Sequence, residues 1–238
     1  MLELQQIIDE SKSIVFFGGA GVSTESGIPD FRSETGIFKT LEKYSHTPEE
    51  LLSHSYFRYH PKEFFKYYKE SLVFENAEPN AAHYKLAELE EIGKLKAIIT
   101  QNVDGLHQKA GSKNVLELHG NFNRNYCMVC GKSYTANDIL NSEDFPFCDC
   151  GGIIKPDVVL YEEPLDKDIL KYSTSYIENA DTLIVGGTSL AVYPAAGLIN
   201  YFNGKNLVLI NKSPTAYDDL ANLVINEPIG ETLSKLRL

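Results

Sequence analysis

A recurring unit constrains this chain more than any other feature. Five short apolar runs each end in a cluster of glycine and polar residues. Ser13–Phe17 leads into Gly18-Gly19-Ala20-Gly21, and Leu95–Thr100 into Gln101-Asn102-Val103-Asp104-Gly105. Val115–Leu118 leads into His119-Gly120, Thr182–Val185 into Gly186-Gly187-Thr188-Ser189, and Leu207–Ile210 into Asn211-Lys212. Continuous apolar strands that alternate with helical patterns predict an α/β fold, a parallel sheet with helices on both faces. Such sheets gather ligands at the carboxyl ends of their strands. All five clusters fall at that edge, so their polar side chains are expected to converge on one crevice.

Two stretches interrupt the rhythm. Residues 36–79 are rich in Tyr, Phe, His and Lys at helical spacing, as in Phe57, Phe64, Phe65, Tyr68 and Leu72. They predict a helical insert packed on its aromatic face. Residues 121–155 hold turn residues, little apolar material and all four cysteines of the chain. A segment this poor in core residues needs a staple, and a metal can supply one. The remainder, 1–35, 80–120 and 156–238, forms the sheet domain, and the two inserts form a smaller one.

Cys127-Met128-Val129-Cys130 is a C-x-x-C knuckle, and Cys148-Asp149-Cys150 is a C-x-C arm. Two paired thiolate arms are the pattern of one tetrahedral, structural zinc. The second arm is one residue shorter than usual. A redox dithiol is the alternative reading.

Composition narrows the partners. The formal net charge is −11, against a nucleic-acid surface with its clustered Lys and Arg. The acidity suits a Lys-rich peptide, or serves only solubility. No apolar run is long enough for a bilayer, and residues 1–12 are too polar for a secretory leader. The expectation is a cytoplasmic monomer with no membrane or nucleic-acid partner.

The turn after the first strand resembles a dinucleotide-binding turn, where glycines admit a pyrophosphate and a helix start points its amides at it. Glycine here serves packing equally well. The hydride-transfer fingerprint G-x-G-x-x-G fails, because its third glycine position is Thr24. Instead Gly27-Ile28-Pro29-Asp30-Phe31-Arg32 limits the helix to a turn or two and sends a loop over the site.

Gly19-Ala20-Gly21-Val22-Ser23, continued by Ser26-Gly27-Ile28-Pro29-Asp30-Phe31-Arg32, resembles the signature of the sirtuin family. So do Thr100–His107, Leu118-His119-Gly120, the four cysteines, Pro156–Val159, Gly187–Leu190 and Asn211, which follow in family order. The resemblance covers nearly the whole chain. It implies a Rossmann-like NAD-binding domain, a small domain made of a helical and a zinc module, and NAD-dependent removal of acyl groups from protein lysines.

The resemblance also implies roles. His119 would be the general base, acting on a ribose hydroxyl, with Asn102 beside it; a lone histidine is otherwise more often structural. Gln101 and Asn102 would hold the ribose, while Val103 and Asp104 line the nicotinamide pocket. The plain alternative for Asn102–Gly105 is a turn with local backbone bonds. Gly19, Ala20, Gly21, Thr24 and Asp30 would lie along the cofactor, with Phe31 shielding the reactive ribose carbon and Arg32 ordering the loop. Gly187, Thr188 and Ser189 would bind phosphate. Asn211 and Lys212 would sit near the adenosine ribose, and the Ile229 backbone at the adenine.

Val159, Leu160 and Tyr161 match the strand on which an acyl-lysine peptide would add. One position departs: the family usually has Gly after this aromatic, and this chain has Glu162. Two other functions use the same features, mono-ADP-ribosyl transfer and a non-catalytic NAD sensor. A histidine base beside Asn102 favours deacylation over both.

Overall fold

The apolar runs form strands because each presents side chains to two buried faces. A computed structural model describes residues 1–30 and 40–238. In it β1 (Ile14–Gly18), β2 (Leu95–Thr100), β3 (Val115–Glu117), β7 (Thr182–Gly186), β8 (Asn206–Ile210) and β9 (Leu223–Ile225) make a six-stranded sheet. The order is β3-β2-β1-β7-β8-β9, and every pairing is parallel. Phe16 stands beside Ile98 and Ile184, and Ile184 beside Val208, in one ladder on one face. That ladder packs on α1 (Leu2–Glu10), α5 (Ala81–Glu91) and α9 (Ile229–Ser234) through Leu4, Ile8, Leu86 and Leu233. The alternate residues Val15, Phe17, Ile99, Val185 and Leu209 face the other way, onto α8 (Lys167–Glu178) and a 3-10 helix at Ala195–Tyr201. Each such side chain contributes about 1.5–3 kcal/mol by leaving water.

The same registers level the strand ends. Gly18 lies beside Thr100 and Gly186, Thr100 beside Glu117, and Gly186 beside Ile210. The chain builds outward from β1 to β3 and then returns to β1's other side as β7. That reversal opens a crevice between β1 and β7, the switch point where ligands of open α/β sheets bind.

The aromatic spacing of the helical insert is realised in α3 (His54–Tyr59) and α4 (Pro61–Ser71), preceded by α2 (Pro48–Leu51). Phe57, Phe64, Phe65 and Tyr68 are fully buried. They share one core with Phe122, Ile154 and Val158 of a three-stranded antiparallel sheet and with Ile139 of α7 (Ala136–Leu140). That sheet consists of β5 (Ser133–Tyr134), β4 (Gly120–Cys127) and β6 (Ile154–Val158), with β4 central. Strand β6 crosses the expected 155/156 boundary. No helix among the described residues is long and apolar enough to cross a membrane.

Candidate active site

Two glycine turns interlock at the switch point. A Cβ at Gly21 would lie 2.7 Å from Gly187 Cα, and one at Gly187 would lie 2.3 Å from Val22 N. Gly187 also takes φ +59, a region that favours glycine. The Gly21 amide donates to Gly187 O at 2.8 Å. These glycines therefore bring the two turns together, which is what first demands them. The chain after Gly19 makes two 3-10 turns, Ala20–Val22 and Thr24–Ser26, and stops at Gly27 with φ +83. Asn80, the cap of α5, pins them by donating to Val22 O at 2.8 Å and Ser26 Oγ at 3.0 Å.

The turn after β7 differs from the expected strand–turn–helix pattern. Its helix begins only at Ala195, because the chain first bends through Leu190 at φ +55 and Pro194. The start of the 3-10 turn at Gly19 packs against Thr188, where a Cβ on Gly19 would lie 2.8 Å from Thr188 Cβ. The Thr188 hydroxyl accepts from Gln101 Nε2 at 3.1 Å and from Leu190 N at 3.2 Å.

The crevice wall gathers Ala20, Asp30, Gln101, Asn102, Val103, Asp104 and His119, and then Val159, Leu160 and Tyr161. His119 leaves the end of β3 beside the Gln101 carbonyl, and its Nδ1 lies 2.9 Å from that oxygen. A carbonyl only accepts, so Nδ1 carries the hydrogen and Nε2 is the basic nitrogen. Asn102 Nδ2 donates to Ser23 Oγ at 3.1 Å, and Ser23 Oγ donates to Asp104 Oδ2 at 2.7 Å. The other Asp104 oxygen accepts from Leu106 N at 2.9 Å. Burial raises the Asp104 pKa, while the Leu106 amide and the Ser23 hydroxyl pull it down. Ser23 thus ties two expected site residues together. It sits inside the signature, but a lone serine gives no spacing that announces a bridge.

One end of the crevice is apolar, with Pro48, Leu52, Leu72, Phe74, Val103 and Leu160. It suits an uncharged chain. Val192, Tyr193 and Pro194 also line the crevice, and nothing in their sequence marked them. The peptide segment is already partly paired. Val159 N donates to His119 O, Leu160 N to Glu163 Oε2 and Tyr161 N to Leu52 O, all at 2.9–3.0 Å. Leu160 O accepts from Glu163 N and Tyr161 O from His54 N, so an added strand has the Val159 carbonyl and the Glu162 N–H to pair with.

Gly19, Gly21, Thr24, Gly187, Thr188, Ser189, Asn211 and Lys212 lie on the same strand-end edge but outside this cavity's wall. The Asn211 side chain donates to Ser213 O at 2.8 Å. The Ile229 side chain is core, 3 % exposed, and Glu25 binds the amide next to it, Gly230 N, at 2.7 Å. Phe31 and Arg32 lie outside the described residues.

The four cysteines converge although the second arm is short. Their sulfurs all lie within 4.8 Å of one another, with Cys127 and Cys150 at 3.4 Å and Cys130 and Cys148 at 3.6 Å. A tetrahedral zinc with bonds of about 2.3 Å separates its sulfurs by about 3.8 Å. None is in a disulfide. Left-handed Gly131 and Gly151 close the two knuckles at φ +73 and +85. Gly152 lets the short arm pass, since a Cβ there would meet Cys127 Sγ at 2.6 Å. The cluster suits a closed, structural zinc. It stands at the far end of β4 from His119, on the order of 20 Å away at strand rise.

Comparison with known proteins agrees with this geometry. The Sir2 family model matches residues 19–194. An NAD-dependent protein deacetylase of Clostridium acetobutylicum is 64 % identical over 97 % of this chain and 95 % of its own length. A Sir2 variant solved with deacetylated p53 peptide and 3′-O-acetyl ADP ribose superposes with TM-score 0.89 at 42 % identity, covering 98 % of this chain and 95 % of that one. A Sir2–p53 peptide–NAD+ complex gives TM-score 0.86 at 42 % identity, over 97 % and 94 %. This chain belongs to the Sir2, or sirtuin, family.

Proposed function

We propose that this crevice performs NAD-dependent deacetylation of protein lysines, with His119 as base. The observation that carries the reading is the fixed tautomer of His119, held by the Gln101 carbonyl at 2.9 Å in one wall with Asn102 and Asp104. NAD, when bound, supplies the ribose carbon that releases nicotinamide and takes the acetyl oxygen. His119 Nε2 takes a proton from a ribose hydroxyl. Gln101 and Asn102 orient that ribose, and Ser23 orients Asn102 in turn. Val103 and Asp104 line the nicotinamide end. The apolar wall of Leu72, Phe74 and Leu160 receives the acetyl-lysine stem and keeps water from the reacting carbon. Ala20, Thr24, Asp30, Phe31 and Arg32 border the cofactor. The two interlocked turns, with Gly187–Ser189, take the phosphates, and Asn211, Lys212 and the Ile229 backbone the adenosine.

The partner is an acetyl-lysine peptide that pairs at Val159–Glu162. A cytoplasmic location accords with four thiols free of disulfides, and the net charge of −11 disfavours nucleic acid. ADP-ribosyl transfer needs no base at His119, so the first reading stands ahead of it. Incubation with NAD and an acetyl-lysine peptide, read by mass, tests it: nicotinamide and free lysine should form together. His119→Ala should abolish turnover and keep NAD binding. Unchanged turnover in that variant would refute the assignment.

A further inference from the structure

We propose that Glu162 is a positioning residue whose carboxylate latches the peptide-binding segment onto the helical insert. The proposal rests on the deacetylase reading for its substrate, but the latch itself is visible in the structure. Tyr161 and Ser53 form an isolated parallel bridge. His54 N donates to Tyr161 O at 2.9 Å and Tyr161 N to Leu52 O at 3.0 Å. The next residue extends this seam with its side chain: Glu162 Oε2 accepts from Ser55 N at 2.9 Å and from Ser55 Oγ at 2.7 Å. The first turn of α3 is thereby satisfied largely from the peptide segment. His54 N goes to Tyr161 O, Ser55 N to Glu162, and only Tyr56 N to its own cap, Ser53 Oγ, at 3.0 Å. Glu163 grips from the other side, with Oε1 2.8 Å from His54 Nδ1 and Oε2 2.9 Å from Leu160 N.

The backbone shows why the side chain matters. Glu162 sits at φ +74, a conformation uncommon for a residue with a Cβ and kept only where the surroundings over-determine it. A glycine here would adopt that angle without strain and would have no latch. In this chain the Ser55 hydroxyl and amide hold the Glu162 carboxyl below the usual carboxylate range, so it stays charged. What it holds still is the one N–H in 159–162 left for a substrate strand. The latch spares the peptide the work of ordering that edge on binding. Glu162 is exposed, so removing its side chain leaves no cavity.

Glu162→Gly and Glu162→Gln test the latch. Peptide is varied at saturating NAD, then NAD at saturating peptide. Glu162→Gly should raise the KM for peptide roughly tenfold, the loss of a charge-assisted contact, and the KM for NAD by less than about twofold. Glu162→Gln, which keeps the accepting oxygen, should recover most of it. Amide hydrogen exchange at Ser55, which needs no turnover, should quicken in Glu162→Gly. An unchanged peptide KM, or equal rises in both KM values, would overturn the proposal. If the wild type removes acetyl from no peptide, the deacetylase reading fails; the latch then stands or falls on whether Ser55 exchange quickens.

Discussion

Replacing Ser23 with alanine removes one hydroxyl that two site residues share. Ser23 is 1 % exposed, donates to Asp104 at 2.7 Å and accepts from Asn102 at 3.1 Å. The bond to a carboxylate contributes about 1.5–3 kcal/mol and the neutral one about 0.5–1.5. Their combined loss is about 2–4 kcal/mol at neutral pH. For a chain of this size that lowers Tm by about 5–10 °C. The loss depends on pH. Burial already raises the folded pKa of Asp104, so its ionised form costs stability above that pKa, and protonation relieves the cost as pH falls through it. Ser23→Ala removes a bond that favours the ionised form, raising the folded pKa further. The gap between variant and wild type should thus be widest at pH 7–8 and narrow toward pH 4–5. Activity should suffer more than stability, because Asn102 loses its orienter. Thermal unfolding across pH, with kcat/KM at pH 7.5, checks both. A constant gap across pH, or kcat/KM within about twofold of wild type, would refute the bridge.

Three other perturbations follow from the same geometry. Gly187→Ala sets a Cβ against Val22 N at a left-handed position, so it should cost about 3 kcal/mol or more and abolish NAD binding, as calorimetry would show. A chelator at raised temperature should release one zinc per chain and unfold the β4–β6 module, seen as a lower Tm; full stability without metal would contradict a structural zinc. Burial lowers the His83 pKa to about 4 and pushes His107 well below its ordinary value. Both therefore fold neutral, and the stability they carry is whole above about pH 6.5 and lost as pH falls toward 4, by up to about 3 kcal/mol for His83. His83→Gln should flatten that acid limb in denaturant titrations.

The sheet domain was legible because its strands are buried on both faces. Ile14–Gly18 and Thr182–Gly186 are apolar runs with nothing to confuse them. Strand β6 was not legible. Ile154-Lys155-Pro156-Asp157-Val158 carries a proline, tolerated because β6 is an edge strand paired only with β4. The cysteine cluster followed from spacing, but its short arm works through Gly152, a contact set by three-dimensional approach. His119, Gln101, Asn102 and Asp104 could be placed together because each follows a strand end, and registers level those ends. Ser23 could not, since its bridge depends on how one loop turns over another. The departure at Glu162 was plain in the sequence. Its partner Ser55, more than a hundred residues away, was not.

In the proposed reaction His119 serves the transfer of an acetyl group from lysine to ADP-ribose. Its most direct test is mass balance in a single turnover with NAD and an acetyl-lysine peptide. One nicotinamide, one free lysine and one acetylated ADP-ribose should form per event, and none of them with His119→Ala. Nicotinamide release with the peptide's acetyl group still in place, at the same rate in both proteins, would contradict it.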